Sequence, residues 1–289
     1  MTFLPQITDK QRSLFDSQGF FVLDNIIPKD HLQLLRDLSD QAVAARVNGS
    51  TVGASEGTQL MGIESGRVFI FGLESEQPSL YRALLSDWAF QIIRGLTEES
   101  SLFHTEFVVK AEDNGDEGTR FRWHQDGGYN TAPNAGGALV PNMPHISLWC
   151  ALDDMSRDNG ALRVIPFNRN PVDHSIVYTA PPRPGVAHQP IFRHQRVTAE
   201  QQNINNHIGD VSAYFGNDAG DMMEIGAGSV VVFSALTLHG SGLNSTEKPR
   251  RALNIAYSQS VLPDNDGQYP YIDFIVDGKL TDAAAALRN

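Results

Sequence analysis

The spacing of apolar positions changes character about a third of the way along the chain. Before that point it is helical. Thr8-Asp-Lys-Gln11 carries the residues of a capping box, which opens a helix, and Gly19 is a natural stop for it. Phe20-Phe-Val-Leu23 is a short apolar strand. Beyond Pro28, residues Leu32, Leu35, Leu38, Ala42 and Ala45 recur at helical intervals and predict a helix of about four turns. Val68-Phe-Ile-Phe71 reads as a second strand. The stretch 80–96, interrupted at Ser86-Asp87, reads as one broken helix or two.

From Leu102 onward the texture is short apolar runs divided by turn residues. Strands are expected at 102–110, 119–124, 145–152, 161–165, 176–178, 211–215, 229–233, 251–259 and 271–276. Many short strands without intervening helices favour an antiparallel barrel or sandwich over a parallel α/β sheet. No Pro/Gly/Ser-rich linker separates the two regions. The expectation is therefore one domain over 1–289, with helices at about 8–100 bracing a mainly β core at about 102–276. Two stretches stand apart. Residues 111–118 form an acidic turn. Residues 166–210 carry Pro166, Pro171, Pro181, Pro182, Pro184 and Pro190, which argues for a lid-like insertion without long regular elements.

Composition narrows the class of function. With 41% apolar residues among 289, a sizeable core is available. Lys and Arg number 22 against 34 Asp and Glu, a formal net charge of −12, which argues against nucleic acid or anionic membrane as partner. The start shows no basic segment followed by an apolar stretch, and no window reaches a membrane span, so a cytoplasmic protein is expected. Cys150 is the only cysteine, which excludes an intrachain disulfide and a cysteine-rich metal site. Asn48-Gly-Ser50 and Asn244-Ser-Thr246 match a glycosylation pattern by chance. The expected partner is a small-molecule substrate, with a homodimer left open.

The chemistry gathers around Arg122-Trp-His-Gln-Asp126. In an extended segment His124 and Asp126 project to the same side, and an imidazole with a carboxylate suits a first-row metal. A third ligand must come from elsewhere. Of nine histidines, His239 stands out, because the apolar strand beginning at Ser229 delivers it to a Gly-containing turn. Two histidines and one carboxylate on one face are the arrangement of non-haem Fe(II) oxygenases. Arg250 follows at the start of another strand, where an inward guanidinium would take the carboxylate of a keto-diacid cosubstrate. Other groups read as structural. Cys150 is a small buried residue, and Asp153 and Asp154 face opposite ways.

These stretches together resemble the phytanoyl-CoA dioxygenase family of Fe(II)- and 2-oxoglutarate-dependent oxygenases. The matching segments are Trp123-His-Gln-Asp126, Ser147-Leu-Trp-Cys-Ala-Leu-Asp-Asp154, Asn159-Gly-Ala-Leu-Arg-Val-Ile-Pro166, and His239-Gly-Ser-Gly-Leu-Asn-Ser245 with Arg250-Arg-Ala252. Gly19-Phe-Phe-Val-Leu-Asp-Asn-Ile-Ile-Pro28 adds the family's N-terminal entry. The resemblance implies a double-stranded β-helix, or cupin-like jelly roll. It implies His124, Asp126 and His239 as iron ligands and Arg250 as partner of the distal carboxylate of 2-oxoglutarate. Ser241 would assist that arginine, and Trp149 would line the cosubstrate pocket. Arg122 would meet an anionic substrate or the near carboxylate if the strand is regular. A bulge would instead put it at the rim, beside the acidic turn.

With Fe(II), 2-oxoglutarate and O2, the implied reaction releases succinate and CO2 and attacks an unactivated C–H bond of a secondary metabolite or modified small acid. Hydroxylation is the default, because halogenases of this architecture carry a small residue where this chain has Asp126. Desaturation, epoxidation and ring formation start from the same oxidant, and a metal-binding jelly roll without oxygenase activity is the alternative. Tyr129 and Thr131 are further candidates for substrate contact. Ile165-Pro-Phe-Asn-Arg-Asn170 departs from the family's usual Ile-Pro-Gly-Ser-His and leaves the substrate open.

Overall fold

The computed structural model describes residues 4–47, 59–61, 66–112, 119–126, 145–172, 176–180, 189–196, 211–262 and 271–288. The chain begins with α1 (Asp9–Gln18), β1 (Phe20–Leu23) and α2 (Lys29–Val47), then β2 (Gln59–Met61) and β3 (Arg67–Phe71). Three short helices follow: α3 (Leu73–Glu76), α4 (Tyr81–Leu84) and α5 (Asp87–Arg94). The β region comprises β4 (Ser100–Lys110), β5 (Phe121–His124), β6 (His145–Ala151), β7 (Leu162–Ile165), β8 (Ile176–Ala180) and β9 (Gln189–Phe192). It continues with β10 (Gln195–Arg196), β11 (Val211–Ser212), β12 (Asp221–Met222), β13 (Val230–Ser234) and β14 (Leu238–Ser241). Last come β15 (Arg250–Ser258), β16 (Ile272–Val276), β17 (Lys279–Leu280) and α6 (Asp282–Leu287).

Local signals explain the helix boundaries. Thr8 accepts from the Gln11 main chain while the Gln11 side chain accepts from Thr8, and Gly19 closes α1 in the left-handed region at φ 85°. Ser86 caps α5, which is why the 80–96 stretch divides there.

Two antiparallel sheets face each other. The larger runs β1-β13-β6-β15-β4-β16-β17, with β3 also on β4 and β2 beyond it; the smaller runs β12-β7-β14-β5. Side chains of the larger sheet alternate between two hydrophobic layers. Leu148, Cys150, Val232, Leu253 and Ile255 meet the helices, with Phe15, Leu35, Trp88 and Ile92 across from them. Trp149, Ala151, Val231, Phe233 and Ala252 turn the other way, onto Leu162 and Val164 of the smaller sheet. This is the mainly β, cupin-like jelly roll with bracing helices that the sequence led one to expect. Among the described residues, no helix is long and apolar enough to cross a membrane.

One expectation needs correction. The run from Ser229 to His239 is two strands in different sheets: β13 belongs to the larger, and the chain crosses over before β14 enters the smaller. His239 therefore sits inside a strand flanked by β5 and β7, not on a turn. The described parts of 166–210 hold only short elements. β8 pairs with β9, and β10 with β11, Pro190 being tolerated in a two-stranded ribbon. Residues 173–175, 181–188 and 197–210, with His174, His188 and His207, lie outside the described residues, as do 113–118, Tyr129 and Thr131. Finally, α6 carries a plain signal, Thr281 capping Asp-Ala-Ala-Ala-Ala, that strand-oriented reading passed over.

Candidate active site

β5 and β14 are neighbours, and their register sets His239 opposite His124. Opposed residues of an antiparallel pair share a face. The two rings meet with centroids 4.1 Å apart. Asp126, just past the end of β5, brings Oδ1 to 3.7 Å from His124 Nε2 and 3.3 Å from His239 Nε2. One ligand atom from each of the three lies within 4.8 Å of the others, and among the described residues no other group of three His, Cys, Asp or Glu does so.

The second ring nitrogens are already committed. His124 Nδ1 lies 2.7 Å from the Arg122 carbonyl and His239 Nδ1 3.0 Å from that of Thr237. Donation to those carbonyls fixes the tautomer and turns both Nε2 lone pairs toward Asp126. The Ser147 hydroxyl donates to Asp126 Oδ2 at 3.3 Å, leaving Oδ1 facing the histidines. The donor set fits a divalent first-row metal held on one face, with its remaining positions open.

Burial and neighbouring charge set the protonation of each group in the metal-free protein. Burial, then the neighbouring His239, depresses His124 to about 3, so it stays neutral. Burial would raise the Asp126 carboxyl, but the charge and hydrogen bond of His239, then His124, outweigh it and hold the group well below the usual range. Burial opposes protonation of His239, yet Asp126 raises it overall.

His194 is likewise buried and depressed by burial to about 4. His124 and His194 bind fewer protons folded than unfolded below the ordinary imidazole range. Their stabilisation is complete above about pH 6.5 and is lost as pH falls toward their folded values. His239 runs the opposite way. His31, also depressed by burial, acts in the same direction, whereas the raised His104 and His239 act above about pH 6.5, so the metal-free protein should melt progressively earlier between about pH 6.5 and 4.5. A melting temperature that holds or rises over that window would contradict the assignment.

Gln125, between His124 and Asp126, anchors them from behind. Its Nε2 donates to the Pro190 and Leu236 carbonyls at 2.9 and 2.7 Å, and its Oε1 accepts from Phe192 N–H at 2.9 Å. Its own N–H donates to His194 Nε2 at 3.0 Å. One side chain thus ties β9 and the β13–β14 crossover to the ligand motif. Gln125→Ala removes the side-chain partner of three main-chain groups, at about 1–3 kcal/mol each. Denaturant unfolding should show a loss of at least about 3 kcal/mol, together with weakened iron binding; a loss under about 0.5 kcal/mol would contradict it.

The same pocket continues toward a basic end. It is lined by His124, Asp126 and His239, then Phe121, Trp149, Ser241 and Arg250. Along β15 the alternation points Arg250, Ala252 and Asn254 inward and Arg251 outward. Arg250 is 2% exposed, lies over the Trp149 ring at 5.5 Å and donates through Nη2 to Gly160 O at 2.9 Å; its buried Nε has no partner among the described residues. Arg251 instead makes a bidentate pair with Asp153 and reaches Asp40.

Lys110, which sequence reading missed, stands opposite Arg250 in the register of β4 and β15. Its ammonium donates to Ser241 Oγ at 2.6 Å and to the Gly242 carbonyl. Burial first, then Arg250, presses its pKa well below the usual lysine range. An anion bound beside Arg250 and Lys110 would offset that burial and repulsion. Glycine is required at 160, where φ is +72° and a Cβ would lie 2.6 Å from Gly242 O and 2.9 Å from Lys110 Nζ. Glu106 and Asn254, also missed, line the pocket from the larger sheet.

Arg122 does not join this group. The register of β5 and β14 shifts between His239 and Ser241, and this bulge brings Phe121 into the pocket beside His124. Arg122 lines a neighbouring cleft instead. Asp153 and Asp154 do point apart, the first to Arg251 and the second to Ala227 N–H. Burial raises the Cys150 thiol, as expected of an inert core residue. Asn244, the would-be glycosylation site, is fully buried and bonded to three carbonyls.

A jelly roll with a His-x-Asp…His set on its smaller sheet and a buried arginine in the same pocket defines the class of 2-oxoglutarate-type non-haem oxygenases. Comparison with known proteins gives the family. Residues 15–252 match the model of phytanoyl-CoA dioxygenase (PhyH), and the chain belongs to that family. It is 22% identical to peroxisomal phytanoyl-CoA dioxygenase from Homo sapiens over 259 residues, 88% of this chain and 69% of the human one. It is 24% identical to ectoine dioxygenase from Stutzerimonas stutzeri over 260 residues, 90% of this chain and 78% of that one. Among solved structures, EvdO2 from Micromonospora carbonacea var. aurantiaca complexed with 2-oxoglutarate has a TM-score of 0.58 at 19% identity, covering 92% of this chain and 98% of that one.

Proposed function

We propose that the protein uses Fe(II), 2-oxoglutarate and O2 to hydroxylate an unactivated C–H bond of a small-molecule metabolite, a secondary metabolite or modified small acid. One observation carries the reading: three metal donors and a buried, half-satisfied arginine share a single pocket. His124, Asp126 and His239 would hold the iron. When bound there, iron and 2-oxoglutarate supply the oxidising power, with succinate and CO2 as by-products.

The chain's own residues bind and orient. Arg250 and Lys110 offer donors to the distal carboxylate of 2-oxoglutarate, with Ser241 held beside them by Lys110. Trp149 forms the wall beneath the guanidinium. Phe121, Phe233 and Leu162 keep water from the pocket.

The reading extends to one catalytic unit over 1–289, with 166–210 as a substrate-facing insertion, acting in the cytoplasm as monomer or homodimer. Its net charge of −12 supports a partner that is neither nucleic acid nor membrane. The test is succinate release across a panel of candidate compounds. Release should require Fe(II), 2-oxoglutarate and O2 together. Turnover with Zn(II) under nitrogen would instead make the protein a hydrolase and overturn the reading.

A further inference from the structure

The iron pocket has a second polar end, to which the proposed reaction gives no task. Lys110 and Arg250 oppose each other in the register of β4 and β15, and further along the same two strands Glu106 opposes Asn254. Residues an even number apart on a strand share a face, so this pair lines the same pocket as the two cations. At about 3.3 Å per residue the two pairs stand about 13 Å apart along the strands.

Among the described residues, the carboxylates lining the pocket are Asp126 and Glu106, and the iron site accounts only for Asp126. Glu106 Oε2 lies 3.5 Å from His104 Nε2, well beyond the roughly 2.7–2.9 Å of a charged hydrogen bond. No other side chain among the described residues bonds to that carboxylate. Asn254 is 8% exposed, and its Oδ1 has no hydrogen-bond partner among the described residues. A buried amide oxygen of this kind costs stability until a ligand donates to it. The cosubstrate is the wrong ligand for this end, because Glu106 repels the carboxylates that Arg250 and Lys110 attract.

The same face continues onto β3, where Phe71 opposes Glu106 and Phe69 opposes Val108. The two rings stack with centroids 5.9 Å apart, and Phe71 meets the His104 ring at 5.7 Å. A carboxylate, an amide oxygen and aromatic rings side by side are complementary to a nitrogen cation. The oxygens accept its N–H groups, and the rings favour its charge.

We propose that Glu106 and Asn254 select a substrate bearing a protonated amine, held by its nitrogen at the end of the pocket away from Arg250. The inference rests on the oxygenase reading and adds to it the charge of the substrate. Glu106 and Asn254 act on specificity, with the carbon to be oxidised on the iron side of that nitrogen.

The test uses the anaerobic protein loaded with Fe(II) and 2-oxoglutarate at neutral pH. A weak visible charge-transfer band, recorded before any probe is added, establishes that both are in place. Calorimetry then compares benzylamine with benzyl alcohol, its neutral counterpart, and with benzoate. Benzylamine should bind saturably below about 10 mM and at least about fivefold more tightly than either. Glu106→Gln keeps the shape and removes the charge. It should weaken benzylamine about tenfold or more, while the 2-oxoglutarate needed for the band stays within about twofold. Asn254→Leu, checked for folding by circular dichroism, should weaken benzylamine several-fold. Direct coordination of the amine to iron would be untouched by Glu106→Gln, so unchanged benzylamine binding in that variant would overturn the proposal. So would a preference over benzyl alcohol below about fivefold, or no saturable benzylamine binding up to about 10 mM. A protein that never forms the band would overturn the iron reading and this inference together, whereas a band without amine preference would overturn this inference alone.

Discussion

Replacing His239 by alanine should remove iron binding and, with it, all turnover. His239 lies inside β14 and pairs with both β5 and β7, so the strand survives the loss of one side chain. What disappears is one of the three candidate donors, the imidazole nitrogen that lies 3.3 Å from Asp126 Oδ1. Loss of groups that merely orient a metal ligand already costs about 10–100-fold in affinity. Removing a ligand itself should exceed about 100-fold, and His124→Ala should match it. Iron titration of folded variants checks this, with circular dichroism confirming the fold. Affinity within about twofold of wild type for either would contradict the triad.

The second large effect falls on the cosubstrate. Arg250→Met should raise the KM for 2-oxoglutarate by about 10–100-fold, since a charged hydrogen bond contributes about 1.5–3 kcal/mol. The kcat at saturating 2-oxoglutarate should move much less, because the residue binds the far end of the cosubstrate. Lys110→Met should act in the same direction. Arg251→Met is the informative control. Its guanidinium pairs with Asp153 and Asp40 on the opposite face of β15, so it should cost stability and leave the KM in place. An unchanged KM in Arg250→Met, or a raised one in Arg251→Met, would reassign the anchor.

Much of this was legible because local chemistry left marks in the chain. The Thr8 capping box, Gly19 and Ser86 fix helix ends within a few residues of where they act. The spacing of His124 and Asp126, and the apolar approach to His239, announce the donors. Other features depend on partners distant in sequence. Lys110 closes an apolar strand and gains meaning only from its register with Arg250 and its contact with Ser241. Gln125 looks like filler between ligands until Pro190, Phe192 and Leu236 surround it. Arg122 depends on whether its strand keeps strict alternation, which the sequence leaves open and a single bulge decides. The crossover between β13 and β14 is hidden because both strands are buried nearly throughout and no charged or proline residue marks the break between them.

The central claim is that iron and 2-oxoglutarate meet between the two histidines, Asp126 and Arg250. It can be tested without knowing the substrate. Anaerobic addition of 2-oxoglutarate to the Fe(II)-loaded protein should produce a weak visible charge-transfer band, which is lost in His239→Ala and needs much more 2-oxoglutarate in Arg250→Met. A wild-type protein that binds iron yet shows no such band, or a band of equal strength in His239→Ala, would contradict the account.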